Sequence, residues 1–392
     1  MQIIRVDDRK TRKEFLDTAR FLYRNDGTWV CPLDRDVEEI FTKGKNPFYE
    51  HGDASRWILR DDNGIPAGRI AAFINNKLAY SYEQPTGGIG FFECINDKSC
   101  SQLLFNTAKE WLIAKGMEAM DGPINFGEID KNWGLLIEGF THPSFDVVYN
   151  HKYYGELFES YGFMKYYAME GFHADLASPF PERFLKIASW VEKKPGYEYR
   201  HFTWTEKNRF VNDFLLVFNE AWSNYKKDFI PLEAGYINKV LDKARLALEE
   251  DFIWFAYYHG QPIAILLAFP DINQILKHMG GKMHVLNILK FIYLRNKKTM
   301  TRVKGLLMGI IPKFHNLGIE SALFLQFYKA IRKKPHYTEI ELSWVGDFNP
   351  KMRRTFVNTG GAPVKKYIVY RYLFDRNKEF KRYPIHDFPG VP

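Results

Sequence analysis

One segment of the sequence combines a glycine, two cations and a helix start in the order that anion binding requires. Residues Ile310-Ile-Pro-Lys-Phe-His-Asn-Leu-Gly-Ile-Glu-Ser-Ala-Leu323 follow an apolar strand pattern and lead into a helical one. A helix N-terminus presents unpaired backbone N–H groups and a positive dipole end, and Gly318 would let a pyrophosphate come close. Lys313 and His315 add positive charge, whereas Glu320 opposes it. The segment predicts a phosphate-binding loop, with an ordinary strand-to-helix connection as the alternative.

Several other chemistries have no motif in the sequence. There is no Gly-x-Ser-x-Gly elbow, no Walker loop and no His-Glu-x-x-His pair. The cysteines, Cys31, Cys94 and Cys100, are too scattered for a disulfide framework or a metal knuckle. The N-terminus is acidic where a signal peptide needs an apolar run, and no uncharged apolar stretch approaches the roughly 20 residues that span a bilayer. We therefore expect a cytoplasmic protein without a metal.

The positive charge of the chain is concentrated in one segment. The 392 residues carry a formal net charge of +8. Residues 272–304 contain eight Lys and Arg and no Asp or Glu, and they enclose the apolar run 284–294. We expect either a buried helix with solvated lysines at its ends, or a surface for an anionic membrane or a long acyl chain. Nucleic acid is the less favoured partner, because aromatic residues are not interleaved with the cations. The sequence makes no prediction of oligomeric state.

The elements that would position the loop occur twice. Asn63-Gly-Ile-Pro66 and His259-Gly-Gln-Pro262 join paired strand patterns as hairpin turns, 196 positions apart. Segments 158–162 and 356–360 each run from a Phe to a Gly at the end of a short helix, 198 positions apart. Each half reads as helix, helix, hairpin, strand, helix, strand, helix, strand. The nearly constant offset predicts an internal duplication.

The boundary between the two copies is marked by proline. Ser178-Pro-Phe-Pro181 interrupts the pattern of helices and strands. We predict a first domain over 1–177, a second over 178–376 that contains the basic apolar insertion 272–304, and a C-terminal tail over 377–392.

The element order and the loop together resemble the GNAT superfamily of acyl-CoA N-acyltransferases. Its cofactor loop usually reads Val-x-Pro-x-x-Arg-Gly-x-Gly-Ile-Gly-x-x-Leu. The positions that fit are Ile310, Pro312, Gly318, Ile319 and Leu323, and those that depart are His315, Asn316 and Glu320. The resemblance implies an α/β (α+β) fold of two tandem GNAT-like domains. Each would be a mixed, mostly antiparallel central sheet flanked by helices.

Further segments strengthen the resemblance. A second superfamily pattern, Asn-x-x-Ala-x-x-Leu-Tyr-x-x-x-Gly-Phe, is approximated by Asn349, Met352, Phe356 and Gly360. Three other segments are similar to an uncharacterised bacterial group of tandem GNAT-like proteins: Gly122-Pro-Ile-Asn125, Tyr149-Asn-His-Lys-Tyr-Tyr154 and Glu341-Leu-Ser-Trp344.

The resemblance implies a donor site in the second half and an acceptor pocket shaped by the first. Coenzyme A or acyl-CoA would bind as a substrate, at a loop in the second half. The residues expected to bind it are Met308, Ile310, Lys313, His315, Asn316, Gly318, Ile319 and Asn349. Those expected at the acceptor are Asn125, Tyr153, Tyr154 and Trp344. The equivalent loop of the first half, Asn96-Asp-Lys-Ser-Cys100, has no glycine and contains an acid, so we expect no phosphate there.

Acyl transfer to an amine needs a base for the ammonium and favours an acid for the leaving thiolate. In the superfamily that acid is often the Tyr of the Leu-Tyr pair, but Phe158 and Phe356 occupy both equivalent positions. We expect Glu341 to act as the base, with Tyr153 and Tyr154 as replacement catalytic residues. Further candidates are Tyr161, Tyr367 and Tyr370, with Glu93 as the first-half equivalent of Glu341.

Three functions are compatible with these residues. The leading one is an acyltransferase that moves an acyl group from a CoA or carrier-protein thioester to an amine. The second is a non-catalytic GNAT-like protein that lost the hydroxyl acid but kept a ligand. The third is a Fem-like transferase that takes an aminoacyl group from tRNA, with the basic segment contacting phosphates.

Overall fold

The computed structural model of the protein describes residues 1–127, 131–223 and 231–384. The first half begins with β1 (Gln2–Arg5), α1 (Arg9–Leu22), α2 (Asp34–Ile40), β2 (Gly52–Arg60), β3 (Pro66–Asn75) and α3 (Asn76–Ala79). It continues with β4 (Thr86–Cys94), α4 (Lys98–Ala114), β5 (Ala119–Gly122), β6 (Leu135–Glu138), α5 (Tyr154–Tyr161) and β7 (Met164–Asp175).

The second half repeats this order with an insertion. It contains α6 (Glu182–Glu192), β8 (Tyr197–His201), α7 (Lys207–Ser223), α8 (Ala234–Ala244), β9 (Ile253–Tyr258) and β10 (Gln261–Pro270). The inserted helices are α9 (Asn273–Leu276) and α10 (Val285–Asn296). The half ends with β11 (Arg302–Ile310), α11 (Ile319–Ile331), β12 (Glu339–Gly346), α12 (Pro350–Asn358) and β13 (Ala362–Leu373).

Local sequence explains where several elements begin and turn. Helix α1 starts at Asp8, whose carboxylate accepts the Thr11 N–H while the Thr11 hydroxyl accepts the Asp8 N–H, a capping box. Both predicted hairpins place glycine in the left-handed region, Gly64 at φ +79° and Gly260 at φ +78°. Helix α5 ends at Gly162 with φ +104°.

The strands of both halves form one continuous mixed sheet in the described part of the chain. Its order is β1-β2-β3-β4-β5-β13-β7-β12-β11-β10-β9-β8, with β6 also paired to β13. Neighbours run antiparallel except for β4 with β5 and β11 with β12. The expected α/β class with a mixed, mostly antiparallel sheet is confirmed.

The halves exchange their last strands. Strand β7, which ends the first half, pairs with β12 of the second, and β13, which ends the second half, pairs with β5 of the first. The two exchanged strands also pair with each other, from Ala362 opposite His173 to Arg371 opposite Met164. The predicted boundary at 177/178 lies between β7 and α6, but backbone hydrogen bonds cross it. The assignment of 1–177 and 178–376 as separate domains stays a prediction.

The described part of the predicted tail packs onto the sheet. The Tyr383 N–H donates to the Tyr166 carbonyl at 3.1 Å, and the Tyr383 ring lies against Tyr167 and Phe348. Lys378 pairs with Glu118 of the first half. Residues 385–392 of the predicted tail lie outside the described residues.

Candidate active site

Strands β11 and β12 separate after a short parallel contact. They pair only from Arg302 opposite Glu339 to Lys304 opposite Glu341. Beyond Lys304, β11 continues to Ile310 paired with β10, and β12 continues to Gly346 paired with β7. Since a strand without a neighbour leaves backbone N–H and C=O groups unpaired, this gap can receive an extended polar ligand. The predicted residues Met308 and Ile310 lie on the part of β11 that borders the gap.

The loop at the end of β11 presents free amides. Gly318 precedes α11 with φ +79°, and Asn316 also has a positive φ, +63°. Within the described residues, the N–H groups of 316–320 donate no hydrogen bond. The Lys351 ammonium, in the first turn of α12, lies 3.4 Å from the Asn316 side-chain oxygen. Two helix N-termini and a cation therefore meet at this loop, which suits an anion.

Two predicted loop residues have structural partners. A His315 ring nitrogen, Nε2, lies 2.9 Å from the Ile310 carbonyl oxygen and ties the loop to the strand before it. Asn349 caps α12, its side-chain oxygen accepting the Met352 N–H at 3.1 Å. Lys313 and Asn316 are exposed, and Ile319 is buried against the core. The roles of all these residues toward coenzyme A stay predictions.

A buried charged cluster lies where the strands separate. The Glu341 carboxylate accepts hydrogen bonds from Lys365 Nζ at 2.8 Å and from the Ser144 hydroxyl at 2.9 Å. Arg302 lies 3.6 Å from both Glu341 and Asp271. Asp271 is fully buried, and burial raises its pKa to about 6. The cluster joins strands of the sheet to residues 142–145 of the first half.

A small cavity of about 20 Å³ opens beside Glu341. It is lined by the first-half residues Asn132, Trp133, Asp146, Val147 and Val148 and by the sheet residues Gly171, Lys304, Glu341, Leu342, Trp344 and Tyr367. Since about 10–15 Å³ suffices for one water molecule, a single small polar group such as an amine nitrogen fits there. The predicted pair of Glu341 and Trp344 is thus brought together.

Tyr367 contributes an unpaired hydroxyl to this cavity. Its side chain is buried, and within the described residues its hydroxyl has no hydrogen-bond partner. Burial raises its pKa well above the ordinary value, with the nearby Glu341 charge adding to the effect. The hydroxyl therefore stays protonated and is able to donate. By contrast, the Tyr370 hydroxyl donates to Glu159 at 3.0 Å in a different cluster.

A larger cavity of about 500 Å³ lies on the other face of β7 and β13. Its lining residues Lys366 and Ile368 flank Tyr367 in sequence, and successive strand residues point to opposite faces. Pro350 and Gly346 also line it, beside the start of α12. The two faces of β7 and β13 therefore carry a large cavity on the α12 side and the small cavity beside Glu341 on the other side.

The first half has the same strand separation, but tyrosines close it. Strands β4 and β5 pair only from Thr86 to Gly88. Farther along β4, the Tyr154 hydroxyl accepts the Cys94 N–H at 3.0 Å and donates to Glu93 at 2.9 Å. The Tyr153 hydroxyl donates to the Cys94 carbonyl at 2.8 Å. The N–H and C=O groups of Cys94 on this strand are therefore already paired within the protein.

Tyr153 and Tyr154 consequently lie in a different cluster from Glu341. Their hydroxyl partners are Glu93 and Cys94, and the Tyr154 ring packs on Phe92 at 5.2 Å. Asn125 is buried, does not line the cavity beside Glu341, and its side-chain oxygen has no partner among the described residues. The catalytic and acceptor roles of these three residues stay predictions. The structure places them outside the cavity beside Glu341.

Sequence reasoning missed most of the buried cluster. Ser144, Asp271, Arg302 and Lys365 belong to no motif. Asp271 and Arg302 meet through the pairing of β10 and β11 within the second half, whereas Ser144 reaches Glu341 from the first half and Lys365 reaches it from β13. The charge of Lys365 gives no clear signal either, because β13 also carries Lys366 and Arg371. Among the described residues, no group of three or more His, Cys, Asp or Glu is arranged to hold a metal ion.

Comparisons with known proteins agree with this architecture. No protein-family model matches the chain. It is 26% identical over 383 residues to a bacterial ceramide synthase of Caulobacter vibrioides, covering 94% of this chain and 97% of that protein. It is 24% identical over 368 residues to protein YghO of Escherichia coli, covering 91% and 92%.

The solved structures identify the fold. A tandem GNAT protein from the clavulanic acid biosynthesis pathway matches with a TM-score of 0.58 and 10% identity, over 96% of this chain and 99% of that one. The resemblance seen in the sequence is confirmed for the fold. This chain is a tandem GNAT-fold protein, with two halves built on the same plan.

Proposed function

We propose that this protein transfers an acyl group from a CoA or carrier-protein thioester to an amine. The observation that carries the proposal is the gap between β11 and β12, which has a loop of free amides at one end and the Glu341 cavity at the other. The first half contributes the cover of that cavity and no donor site of its own, because its gap is closed by Tyr153 and Tyr154.

The donor is proposed to bind along β11. Its phosphates would meet the amides of 316–320 with Lys313 and Lys351 nearby, and unpaired groups of β11 would hold its amide-containing arm. The departures from the superfamily loop weaken this site without removing it. His315 replaces an arginine with a loop anchor, and Glu320 places a negative charge in the first turn of α11.

The acceptor amine is proposed to enter the small cavity. Glu341 takes a proton from the ammonium, and the amine nitrogen then attacks the thioester carbonyl carbon. The carbon–sulfur bond breaks, Tyr367 donates its proton to the departing thiolate, and it regains one from the new amide nitrogen. The products are an amide and a free thiol. Glu341 is held in place by Lys365 and Ser144, which fixes its oxygens at the cavity.

The name of the Caulobacter relative suggests the class of acceptor. A ceramide is the N-acyl amide of a long-chain amino alcohol, and the likeness to a bacterial ceramide synthase extends over nearly the whole of both chains. We propose that the acceptor here is a long-chain lipid amine. Because the cavity beside Glu341 is small, it would take the amine nitrogen while the hydrocarbon chain lies outside it.

The direct test incubates purified protein with a long-chain acyl-CoA and a long-chain 2-amino-1,3-diol. Thiol release and the amide product, detected by mass spectrometry, are expected together. Thiol release with short amines but not with the lipid amine would contradict the acceptor class alone. No thiol release with any acyl-CoA or acyl carrier, despite binding, would favour the non-catalytic alternative. Amide formation that requires charged tRNA would favour the Fem-like alternative.

Replacing Gly318 with Asp is expected to weaken coenzyme A binding at least about tenfold, because it sets a negative charge where phosphate approaches. The wild-type protein should gain about 2.7 kcal/mol of stability at a concentration of 100 times Kd. Thermal denaturation with and without coenzyme A measures both.

Gly260→Asp is the matched control for that substitution. Gly260 has the same left-handed backbone, with φ +78°, and open space around it in the hairpin turn. Both variants place Asp in a left-handed backbone, and Gly318→Asp also brings its Cβ within 2.9 Å of a Val191 methyl group, so the shift is compared within each variant with and without coenzyme A. Only Gly318→Asp should lose that shift. Equal melting-temperature shifts with coenzyme A in the two variants would show that the phosphate site does not lie at this loop.

Replacing Tyr367 with Phe is expected to lower turnover about 10²-fold if its hydroxyl protonates the thiolate. The same change should leave the melting temperature unchanged or raise it, because a buried hydroxyl without a partner costs about 1–3 kcal/mol. Rate and melting temperature are measured on the same preparation. Tyr370→Phe, which removes a paired hydroxyl elsewhere, should keep its turnover. Unchanged turnover in Tyr367→Phe would show that the Tyr367 hydroxyl is not the proton donor.

A further inference from the structure

Helix α10 exposes an apolar stripe. Val285, Leu286, Leu289, Ile292 and Tyr293, hereafter the α10 stripe, are between 37% and 72% exposed. Positions three and four apart lie on one side of a helix, so these side chains form a continuous surface. Of the two expectations for this segment, the fully buried helix is wrong. Only Phe291 is buried along α10, at 3% exposure.

The helix is anchored to the protein without covering the stripe. Phe291 enters the main core of the second half, with Leu294 packed beside it. The Lys290 ammonium donates to the His278 carbonyl at 3.1 Å, and the Asn287 amide donates to the Lys282 carbonyl at 2.7 Å. These contacts hold α10 by one side and direct the stripe outward.

Cations surround the stripe. Lys282, Lys290, Lys297 and Lys298 are exposed, and the whole segment 272–304 lacks Asp and Glu. The Lys297 ammonium lies 4.9 Å from the centre of the Tyr293 ring, so charge and apolar surface adjoin directly. A surface of this kind complements one that is negatively charged outside and apolar just beneath.

We propose that α10 docks on an anionic phospholipid bilayer, with the stripe seated among the headgroups and upper acyl chains. A symmetric contact with a second copy fits less well, because it would bring the same lysines of both copies together. Within the described residues, no helix has the length and apolarity needed to cross a bilayer, so the contact would be peripheral. The proposal goes beyond the proposed acyl transfer and stands without it.

The insertion that carries α10 is hydrogen-bonded to the first half close to the cavity beside Glu341. Asp271 precedes α9 and Asn273 is its first residue, and both bond to the first-half segment 143–145, which leads into the cavity-lining residues 146–148. The Asp271 carboxylate accepts the Phe145 N–H at 2.9 Å, and the Asn273 amide donates to the Pro143 carbonyl at 3.1 Å.

Co-sedimentation of the full chain with vesicles tests the proposal. We expect binding to vesicles that contain phosphatidylglycerol and little binding to phosphatidylcholine alone. The triple variant Leu286→Ser, Leu289→Ser and Tyr293→Ser should lower partitioning at least about tenfold, since it removes most of the apolar contact. Replacing Lys282, Lys290 and Lys297 with Gln should lower it about fivefold for each lysine at the surface.

The matched control carries three serines at exposed apolar positions elsewhere. Ile113, Ile187 and Leu216 are 51%, 45% and 44% exposed, and serine there should leave vesicle binding unchanged. Circular dichroism checks that both triple variants are folded. If vesicle binding of the wild-type protein disappears at high salt, and the stripe variant binds as well as the wild type, insertion of the stripe is overturned. Self-association that the stripe variant abolishes, without vesicle binding, would overturn the proposal in favour of a second copy.

Discussion

Replacing Glu341 with Gln is expected to lower acyl transfer by about 10²–10⁴-fold, because it removes the proposed proton acceptor while keeping the side chain's shape. The Gln oxygen can still accept from Lys365 and its amide nitrogen can donate to the Ser144 hydroxyl, so the cavity should keep its form. The rate of thiol release under saturating acyl-CoA measures the loss. Coenzyme A binding should be unchanged, since the loop at 316–320 is not altered.

The main complication is stability, and the first half supplies a matched control. Breaking a buried ion pair costs about 3–5 kcal/mol, and Glu341→Gln leaves Lys365 without its carboxylate. Asp121 on β5, and not the predicted Glu93 on β4, occupies the place that corresponds to Glu341, and it pairs with Arg371 through contacts of 2.6 and 2.7 Å. Asp121→Asn should destabilise the protein to a similar extent but spare turnover of the folded fraction. Equal turnover losses in the two variants would indicate a structural role for Glu341.

Ending the chain after Gly361 is expected to abolish folding of both halves. The change removes β13, which lies between β5 and β7 in the sheet. Its residues Ile368, Tyr370 and Tyr372 are part of the first half's core, so this core loses material supplied by the end of the chain. Far-ultraviolet circular dichroism and a loss of cooperative thermal unfolding would report the effect.

A chain ending at residue 384 keeps β13 and serves as the control. Separate fragments sharpen the test, because 1–177 and 178–384 should each be unfolded alone and should form a folded complex when produced together. Cooperative unfolding of 1–177 by itself would show that the first half completes its sheet without β13, contrary to this prediction.

Much of the fold follows from the sequence, because it is set locally. Apolar spacing identifies α1, α4 and α7, and turn residues identify the two hairpins. The duplicated order then gives the tandem plan. The exchange of β7 and β13 is not local, since the residues of a strand do not by themselves specify which half supplies its neighbours. The predicted order has one strand between α4 and α5, whereas the structure has two short ones, β5 and β6, because four residues each are too few for a recognisable pattern.

The candidate site likewise has residues that the sequence predicts and others that only the fold reveals. The loop at Gly318 and the residue Glu341 follow from strand and helix positions. Tyr367 was one of five tyrosine candidates, and only the placement of β13 next to β7 sets it beside Glu341. The exposure of α10 could not be decided from composition, since a run such as 284–294 suits a core as well as a surface. The packing of Phe291 and Leu294, with the hydrogen bonds of Asn287 and Lys290, determines which side faces outward.

The position of β13 has a consequence for synthesis of the protein on the ribosome. Strand β5 ends at Gly122, but β13, its second neighbour in the sheet, begins at Ala362. At about 5–20 residues per second, the edge of β5 waits roughly 12–48 s for its partner to be made. The nascent chain thus carries an open, apolar sheet edge for most of its translation. Molecular chaperones that bind nascent chains should therefore associate with this protein until the last strand emerges.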